Sequence, residues 1–287
     1  MNLSISTVED TLEARRFLLE EGQRHYRDLP WRRNLDPWGV LISEVMLQQT
    51  QVARVIPAYE RWMTKFPSPE ALASSSREEV LRSWSGLGYN RRAIRLHECA
   101  RAIAEDHGGR VPNELAALES LPAIGSYTAR AILAFAFDKA EVFLETNIRA
   151  VLIRHFFEDR QEVAERELAE LAGLLLDREH PRIWYWALMD YGAHLKHSEE
   201  NYARRAQRYR VQSPFHGSLR QARGSVLRIL LEHSPLSEDE IILRTGLDHG
   251  KVRGALAGLA QEGFLVCDPD SGRSTPVWSL KTDKSRC

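Results

Sequence analysis

Apolar residues recur three and four positions apart through most of the first 210 residues, the spacing of helices with one buried face rather than of strands. The segments ISEVMLQQTQVARVIPAYERW (42–62), ALASSSREEVLRSW (71–84), RRAIRLHECARAIAED (91–106), YTARAILAFAF (127–137) and EVAERELAELAGLLL (162–176) each predict helix. Proline and glycine punctuate the pattern at Leu29-Pro30, Phe66-Pro67, Gly86-Leu87-Gly88, Gly108-Gly109 and Leu121-Pro122. The helices are therefore about 10 to 16 residues long and joined by short links. No repeat and no low-complexity tract interrupts them.

The pattern changes near Gln212-Ser213-Pro214-Phe215-His216-Gly217, which is rich in turn formers. Beyond it the chain predicts a helix over 219–234, a short helix capped by Ser237, and a third helix from Asp248 to Gln261 closed by Gly263. Two strand-like runs follow, FLVCD and TPVWSL, flanking Pro269-Asp270-Ser271-Gly272, a hairpin turn. The expectation is a mainly α protein with one domain over 1–212, a linker over 213–217 and a small domain over 218–287. Three helices followed by a hairpin resemble a winged helix-turn-helix, with Asp248–Gln261 as its recognition-type helix. That helix carries only Lys251 and Arg253 as basic residues, which leaves both DNA contact and a packing or protein-binding role open.

Composition narrows the class of protein. The chain has 287 residues, 43% hydrophobic and 28% charged, within the range of ordinary globular proteins. No apolar run reaches the roughly 18 residues of a membrane helix, and the N-terminus carries acids and no apolar signal core. A membrane role is excluded on this reading, and the expected location is the cytoplasm, in association with the nucleoid. Cys99, Cys267 and Cys287 are too far apart for a disulfide framework or a site of spaced thiolates. The net charge is −1, yet six arginines and no acid lie between Arg204 and Arg223, and Arg82, Arg91, Arg92, Arg95 and Arg101 crowd a stretch with Glu98 as its one acid. Local fields, not the average, govern phosphate binding, and arginine forks match phosphate oxygens.

Three segments carry candidate chemistry. Glu44 sits in an apolar, amide-rich helix where Val45, Met46 and Val52 can pack inward, so its carboxylate is desolvated and its pKa raised, as a general acid requires. Residues 118–137 read as helix, hairpin (Leu121 to Gly125), then a new helix from about Ser126. There Gly125 permits close backbone approach and the amides of the second helix offer a seat for a phosphate. Glu145 and Asn147 precede a helix with apolar positions Ile148, Val151, Leu152 and Phe156. Glu145 there stabilises a sugar cation, or stands beside a Thr146 or Asn147 helix cap.

The motifs SEVMLQQTQV, GLGYNRRA, LPAIGSYTA and LETNIRAVL, in this order, resemble the helix-hairpin-helix DNA glycosylases, and most closely the MutY-type adenine glycosylases, over about Asp28 to Gly192. The resemblance implies a two-lobed helical fold and a role in base excision repair on double-stranded DNA with a mismatch, as a monomer. It implies that Glu44 protonates the departing adenine and that Glu145 balances charge at the anomeric carbon, as paired carboxylates do in glycoside hydrolysis. By the same resemblance Gln48 and Gln49 lie near the base stack and lesion, Tyr89 is the wedge beside the opposite base, and Tyr127 and Asn147 line the pocket. Gly125, Arg91 and Arg32 complete the expected DNA-binding set. Such enzymes rotate the target nucleotide out of the duplex before cleavage. Strand-cutting relatives place a lysine where this chain has Tyr127, and no lysine occurs between Lys65 and Lys139, so a monofunctional enzyme is expected.

Three departures qualify the resemblance. Most relatives carry Asp where this chain has Glu145, and a displacement of about an ångström can lower a rate on the order of a hundredfold unless the pocket compensates. The segment HLKHSEENYARRAQRYR, where relatives hold an iron–sulfur cluster, contains no cysteine, so no cofactor is expected and the helix ends are held by packing and arginine contacts. Trp184, Tyr185, Trp186, Tyr191 and Tyr202 are read as core. The chain also ends in the winged-helix-like segment rather than in a domain that recognises 8-oxoguanine. The hairpin is a candidate seat for a monovalent cation. Two other readings stay open: a thymine or uracil mismatch glycosylase on the same scaffold, and a non-catalytic DNA-binding or regulatory protein. Because arginines and hairpin amides displace counterions from phosphate, affinity for duplex DNA should fall roughly a thousandfold or more between about 50 and 200 mM salt, as measured by fluorescence anisotropy.

Overall fold

The computed structural model describes residues 6–211, 214–269 and 275–281. Fifteen α-helices are assigned among them: α1 (Val8–Arg24), α2 (Pro30–Arg33), α3 (Pro37–Leu47), α4 (Val52–Lys65), α5 (Pro69–Ala73), α6 (Arg77–Trp84), α7 (Arg91–Asp106), α8 (Leu115–Ser120), α9 (Ser126–Phe137), α10 (Thr146–Phe156), α11 (Glu165–Leu175), α12 (Pro181–Ser198), α13 (Leu219–His233), α14 (Glu238–Thr245) and α15 (His249–Gln261). The chain divides into two compact units, Met1–Val45 with Val111–Val211 and Met46–Arg110 with Gln212–Cys287. One edge of this division falls at the composition change near 212. The crossing after Val45 lies inside α3 and that after Arg110 follows the Gly108-Gly109 turn, neither at a shift of composition, and the C-terminal segment belongs with residues 46–110.

In the first unit α12 is the central helix, packed against α1 and α10. Trp184, Tyr185, Tyr191 and Tyr202 are buried among aliphatic side chains, and Trp186 packs partly buried against them. Two glycines set how closely the helices approach. A Cβ at Gly22 of α1 would lie 2.3 Å from the Cβ of Ala187, and one at Gly192 of α12 would lie 2.2 Å from the carbonyl oxygen of Asn147. The first turn of α10, which carries the candidate carboxylate, therefore rests on the backbone of α12.

The segment after α12 is fastened by charge and aromatic packing. Arg154 reaches Glu199 at 2.9 Å and Glu158 at 3.1 Å, and the Tyr202 hydroxyl donates to Glu199 at 2.9 Å. Arg205 donates to the Glu158 carbonyl at 2.7 Å and lies over the Tyr202 ring. Backbone bonds from Val163 to the Arg205 carbonyl and from Gln207 to the Val163 carbonyl complete the fastening.

The second unit corrects the sequence expectation in two places. The helix expected over 42–62 breaks between α3 and α4, where Gln49 takes φ +54°. Val52, expected to pack inward beside Glu44, is only partly buried. The helix expected over 71–84 breaks at Ser74–Ser76, because Ser76 forms a capping box with Glu79 and starts α6 afresh. Trp62, Trp84 and Phe66 meet edge to face in this core.

Three helices and a small sheet make up the C-terminal segment. Ser237 and Asp248 cap α14 and α15 through their side chains, and Gly246 ends α14 in the left-handed region. Strands β1 (Leu236–Ser237), β2 (Leu265–Asp268) and β3 (Val277–Leu280) form an antiparallel sheet in the order β1-β3-β2, with Cys267 opposite Trp278. The short β1 is not visible in the sequence pattern. Asp270, Ser271 and Gly272 of the expected turn, Ser213 of the expected linker, the first five residues and Cys287 lie outside the described residues. Arg223 of α13 pairs with Glu262 at 2.6 Å, and Arg77 of α6 donates to the Gly263 carbonyl at 3.0 Å while lying over the Phe264 ring. Among the described residues no helix is long and apolar enough to cross a membrane.

Gly192→Ala should force α10 off α12 and destabilise the protein by about 1–3 kcal/mol, seen as a lowered midpoint in urea unfolding.

Candidate active site

Glu44 lies on α3 between buried neighbours: Val40, Leu41, Ile42, Val45 and Met46 are at most 3% exposed, and Glu44 itself is 5% exposed. Tyr127, in the first turn of α9, donates its hydroxyl to Glu44 Oε2 at 3.4 Å, and its ring stands edge to face on Phe143. Glu145 is itself the cap of α10: its Oε2 accepts from the Asn147 amide at 2.7 Å. The helix thus starts on the carboxylate and not on Thr146 or Asn147. Glu44, Tyr127, Glu145 and Asn147 are brought together within the first unit.

Burial dominates the electrostatics. Glu44 is pushed up to about 7 by desolvation and next by the charge of Glu145, against the Tyr127 hydrogen bond and the Arg32 guanidinium, which lower it. Glu145 is also raised by desolvation, opposed by the backbone amides of Asn147 and Thr146 and by Arg149 and Arg27. Tyr127 is driven well above the ordinary phenol value by burial and by both carboxylates. The arrangement favours a proton on Glu44 and the negative charge on Glu145, where helix amides meet it. One group can give a proton while the other faces developing positive charge.

An ion cluster beneath this pair escaped the sequence reading. Asp190 of α12 is 1% exposed and accepts from Arg32 at 2.6 and 3.0 Å and from Arg27 Nε at 2.7 Å. Arg32, expected to reach DNA, is 7% exposed and commits its fork to Asp190, so its place is inside the protein, where it also acts on Glu44. The signal was an aspartate in the otherwise apolar run WALMDYGA.

The remaining predicted residues belong to the second unit, except Gly125. Tyr89 takes φ +48° directly after Gly86 and Gly88, both also left-handed, and is 37% exposed. Arg92, read from the sequence only as one of a crowd of arginines suited to phosphate, ties its turn to the one after α3: it donates to the carbonyls of Met46 at 3.0 Å, Gln48 at 2.6 Å, Leu87 at 3.3 Å and Gly88 at 3.1 Å and to the Thr50 hydroxyl at 3.0 Å. Burial lowers its pKa to about 10. Gln49 and Arg91 are exposed and Gln48 is partly buried. The helix-hairpin-helix is present as α8, a turn and α9, but its left-handed residue is Ala123 at φ +70°. Gly125 is exposed with φ −97°, and a Cβ there would meet nothing within 4 Å, so folding itself makes no demand for glycine at this position.

Residues 194–211 supply no thiolate, and the described cysteines are Cys99, buried in α7, and Cys267 on β2. A cysteine-ligated iron–sulfur cluster does not fit this donor set. The ion pairs and rings around Tyr202 hold the segment after α12.

With this geometry in place, relatives decide the family. Residues 42–174 match the model of the HhH-GPD superfamily base excision DNA repair protein. An adenine DNA glycosylase of Mycolicibacterium smegmatis is 38% identical over 92% of this chain and 93% of its own length. The chain belongs to the MutY-type adenine DNA glycosylase family. A second family member, the adenine DNA glycosylase of Mycobacterium tuberculosis strain H37Rv, is 44% identical over 61% of this chain, a match spanning 59% of that relative. Among solved structures, a thermostable thymine-DNA glycosylase is 28% identical with a TM-score of 0.55, over 64% of this chain and 88% of that one. The family's mainly helical fold, with its helix-hairpin-helix, is the fold found here.

The raised Glu44 pKa has a stability consequence with a definite sign. Its proton is held more tightly in the folded state than at the unfolded value of 4.5, so this contribution is complete below 4.5 and lost as pH rises through about 7. The melting temperature of wild type should therefore decline from pH 5 to pH 8 by the equivalent of about 3 kcal/mol, and Glu44→Gln should flatten that slope.

Proposed function

We propose that this protein is a monofunctional DNA glycosylase that removes adenine mispaired with 8-oxoguanine or guanine. The single observation that carries this is the buried Glu44, held protonated near neutral pH beside the charge of Glu145. After the nucleotide is extruded, Glu44 gives its proton to a ring nitrogen of adenine, and the C1′–N9 pair leaves with the base. Glu145 balances the positive charge on the sugar, and water adds at C1′ and releases the proton that restores the acid. Asn147 is a pocket residue, and Tyr127 orients Glu44 through its hydroxyl. Tyr127, which forms no Schiff base, stands where strand-cutting relatives place a lysine, and the strand remains uncut. The Glu145 carboxylate, turned onto the amide of its own helix, keeps a fixed place despite its extra methylene.

Exposed Gly125 and the α9 amides offer a phosphate seat on double-stranded DNA, and Arg91 is an exposed cation suited to the same backbone. The hairpin is a place for a monovalent cation. No iron–sulfur cluster takes part. The enzyme works as a monomer in the cytoplasm, at the nucleoid.

Single-turnover reactions on labelled duplexes, followed by alkali, test this reading. Wild type should cleave the adenine strand of A:G or A:8-oxoguanine duplexes. Glu44→Gln and Glu145→Gln should each lower the rate by roughly 10²- to 10⁴-fold. Cleavage confined to T:G or U:G strands would instead give the protein the thymine or uracil mismatch activity, and equal inertness of wild type and both variants would make it a DNA-binding protein only.

A further inference from the structure

A cavity of about 220 Å³ in the first unit is lined by Thr146, Arg149, Ala203, Arg208, Tyr209 and Arg210. One wall is the first turn of α10, which starts one residue after Glu145. The other is the segment after α12, where a single 3-10 turn over Tyr202–Arg205 packs against α10 and Tyr209 lies partly buried against the core. Backbone bonds from Gln207 to the Val163 carbonyl and from Tyr209 to the Ala206 carbonyl hold this wall in place. The Tyr209 hydroxyl accepts from Asn201 Nδ2 at 3.2 Å, which leaves its own proton for a further acceptor.

Charge at the cavity is not balanced. Nearby, Arg154 meets Glu199 and Arg205 meets Glu200, and Arg149 meets Glu165 at 2.5 Å. Arg208 meets no acid among the described residues, and Arg210 reaches only the carbonyl of Tyr209, at 3.4 Å. Both belong to the stretch from Arg204 to Arg223 that contains no acid. Two cations held at one cavity without a counter-charge repel each other, and an anion placed between them removes that repulsion.

We propose that Thr146, Arg149, Arg208, Tyr209 and Arg210 form a phosphate-binding pocket. The assignment goes beyond the choice of excised base and stands whichever base that is. A carboxylate is matched by a single fork, as Glu165 is by Arg149. Three guanidinium groups and two hydroxyls around one cavity suit instead the tetrahedral oxygens of a phosphate. A backbone phosphate of DNA and a free phosphate ion share this chemistry. Because Arg149 also acts on Glu145, an occupant shares that cation with the candidate carboxylate.

Isothermal titration with inorganic phosphate, at an ionic strength held constant with chloride, tests the pocket. The proteins are full-length wild type, the Arg208→Ala and Arg210→Ala double variant, and Arg204→Ala, which removes an exposed arginine of the same segment that does not line the cavity. Melting curves confirm that each is folded. Wild type and Arg204→Ala should bind phosphate saturably, and the double variant should bind it at least about tenfold more weakly, as expected for lost charge-assisted contacts. Fluorescence anisotropy with a labelled duplex in the same buffers separates the two sources. If DNA fills the pocket, saturating phosphate lowers the duplex affinity of wild type more than chloride does and has no such effect on the double variant. If a free phosphate ion fills it, both duplex affinities respond to phosphate and chloride alike while wild type still binds phosphate in the titration. Wild type that binds no phosphate, or binds it no better than the double variant, would overturn the assignment. Equal weakening in Arg204→Ala would also overturn it, since the charge of the segment would then suffice without the cavity. None of these readings depends on excision, so they stand apart from the outcome of the glycosylase assay.

Discussion

Two carboxylates share one desolvated region of a helical core, and the surroundings of the first unit are arranged around that constraint. Neither Glu44 nor Glu145 can be ionised there without help, and both together still less. The help is unequal. Glu145 has the amides at the start of α10 and the fields of Arg149 and Arg27, whereas Glu44 has apolar neighbours, a tyrosine hydroxyl and Arg32. That inequality separates a proton donor from an anion within one pocket, the division of labour that cleavage of a glycosidic bond demands.

Holding the pair requires a rigid floor, which α12 supplies. Gly192 lets the first turn of α10 approach until backbone meets backbone, and Asp190 one half-turn earlier gathers Arg27 and Arg32 into a buried ion cluster. Such a cluster adds little net stability over an apolar core, but removing one member leaves an uncompensated charge in the interior. Its contribution is to orientation, since the same two arginines that Asp190 fixes act on the two candidate carboxylates. Beyond α12, Arg154, Arg205 and Tyr202 fasten a segment that has no thiolates with which to bind metal.

Much of this was legible in the chain. Helix α7 falls on the residues its periodicity predicts, and the cap at Ser237 acts as its side chain suggests. Glu44 could be picked out because a lone acid in an apolar run is chemically conspicuous. Breaks within periodic segments were harder to see. Neither the left-handed turn at Gln49 nor the cap at Ser76 disturbs the spacing of apolar residues, so that spacing predicts helix through both. The roles of the arginines could not be separated either. Arg32, Arg91 and Arg92 look alike in sequence, yet one is buried on Asp190, one is exposed, and one staples two turns. Only tertiary contacts distinguish a guanidinium facing solvent from one facing a carboxylate. The division of the chain after Val45 and Arg110 was invisible for the same reason, because it depends on which helices meet and not on what they are made of.

The central claim is that Glu44 holds its proton near neutral pH because it is buried beside Glu145. A carbon-13 NMR titration of glutamate side-chain carboxyls, with the Glu44 resonance assigned by comparison with Glu44→Gln, measures this directly. The account predicts a midpoint near 7 for that resonance, moving downward in Glu145→Gln as the neighbouring charge is removed. A midpoint at the ordinary value of 4.5, unchanged by Glu145→Gln, would contradict it.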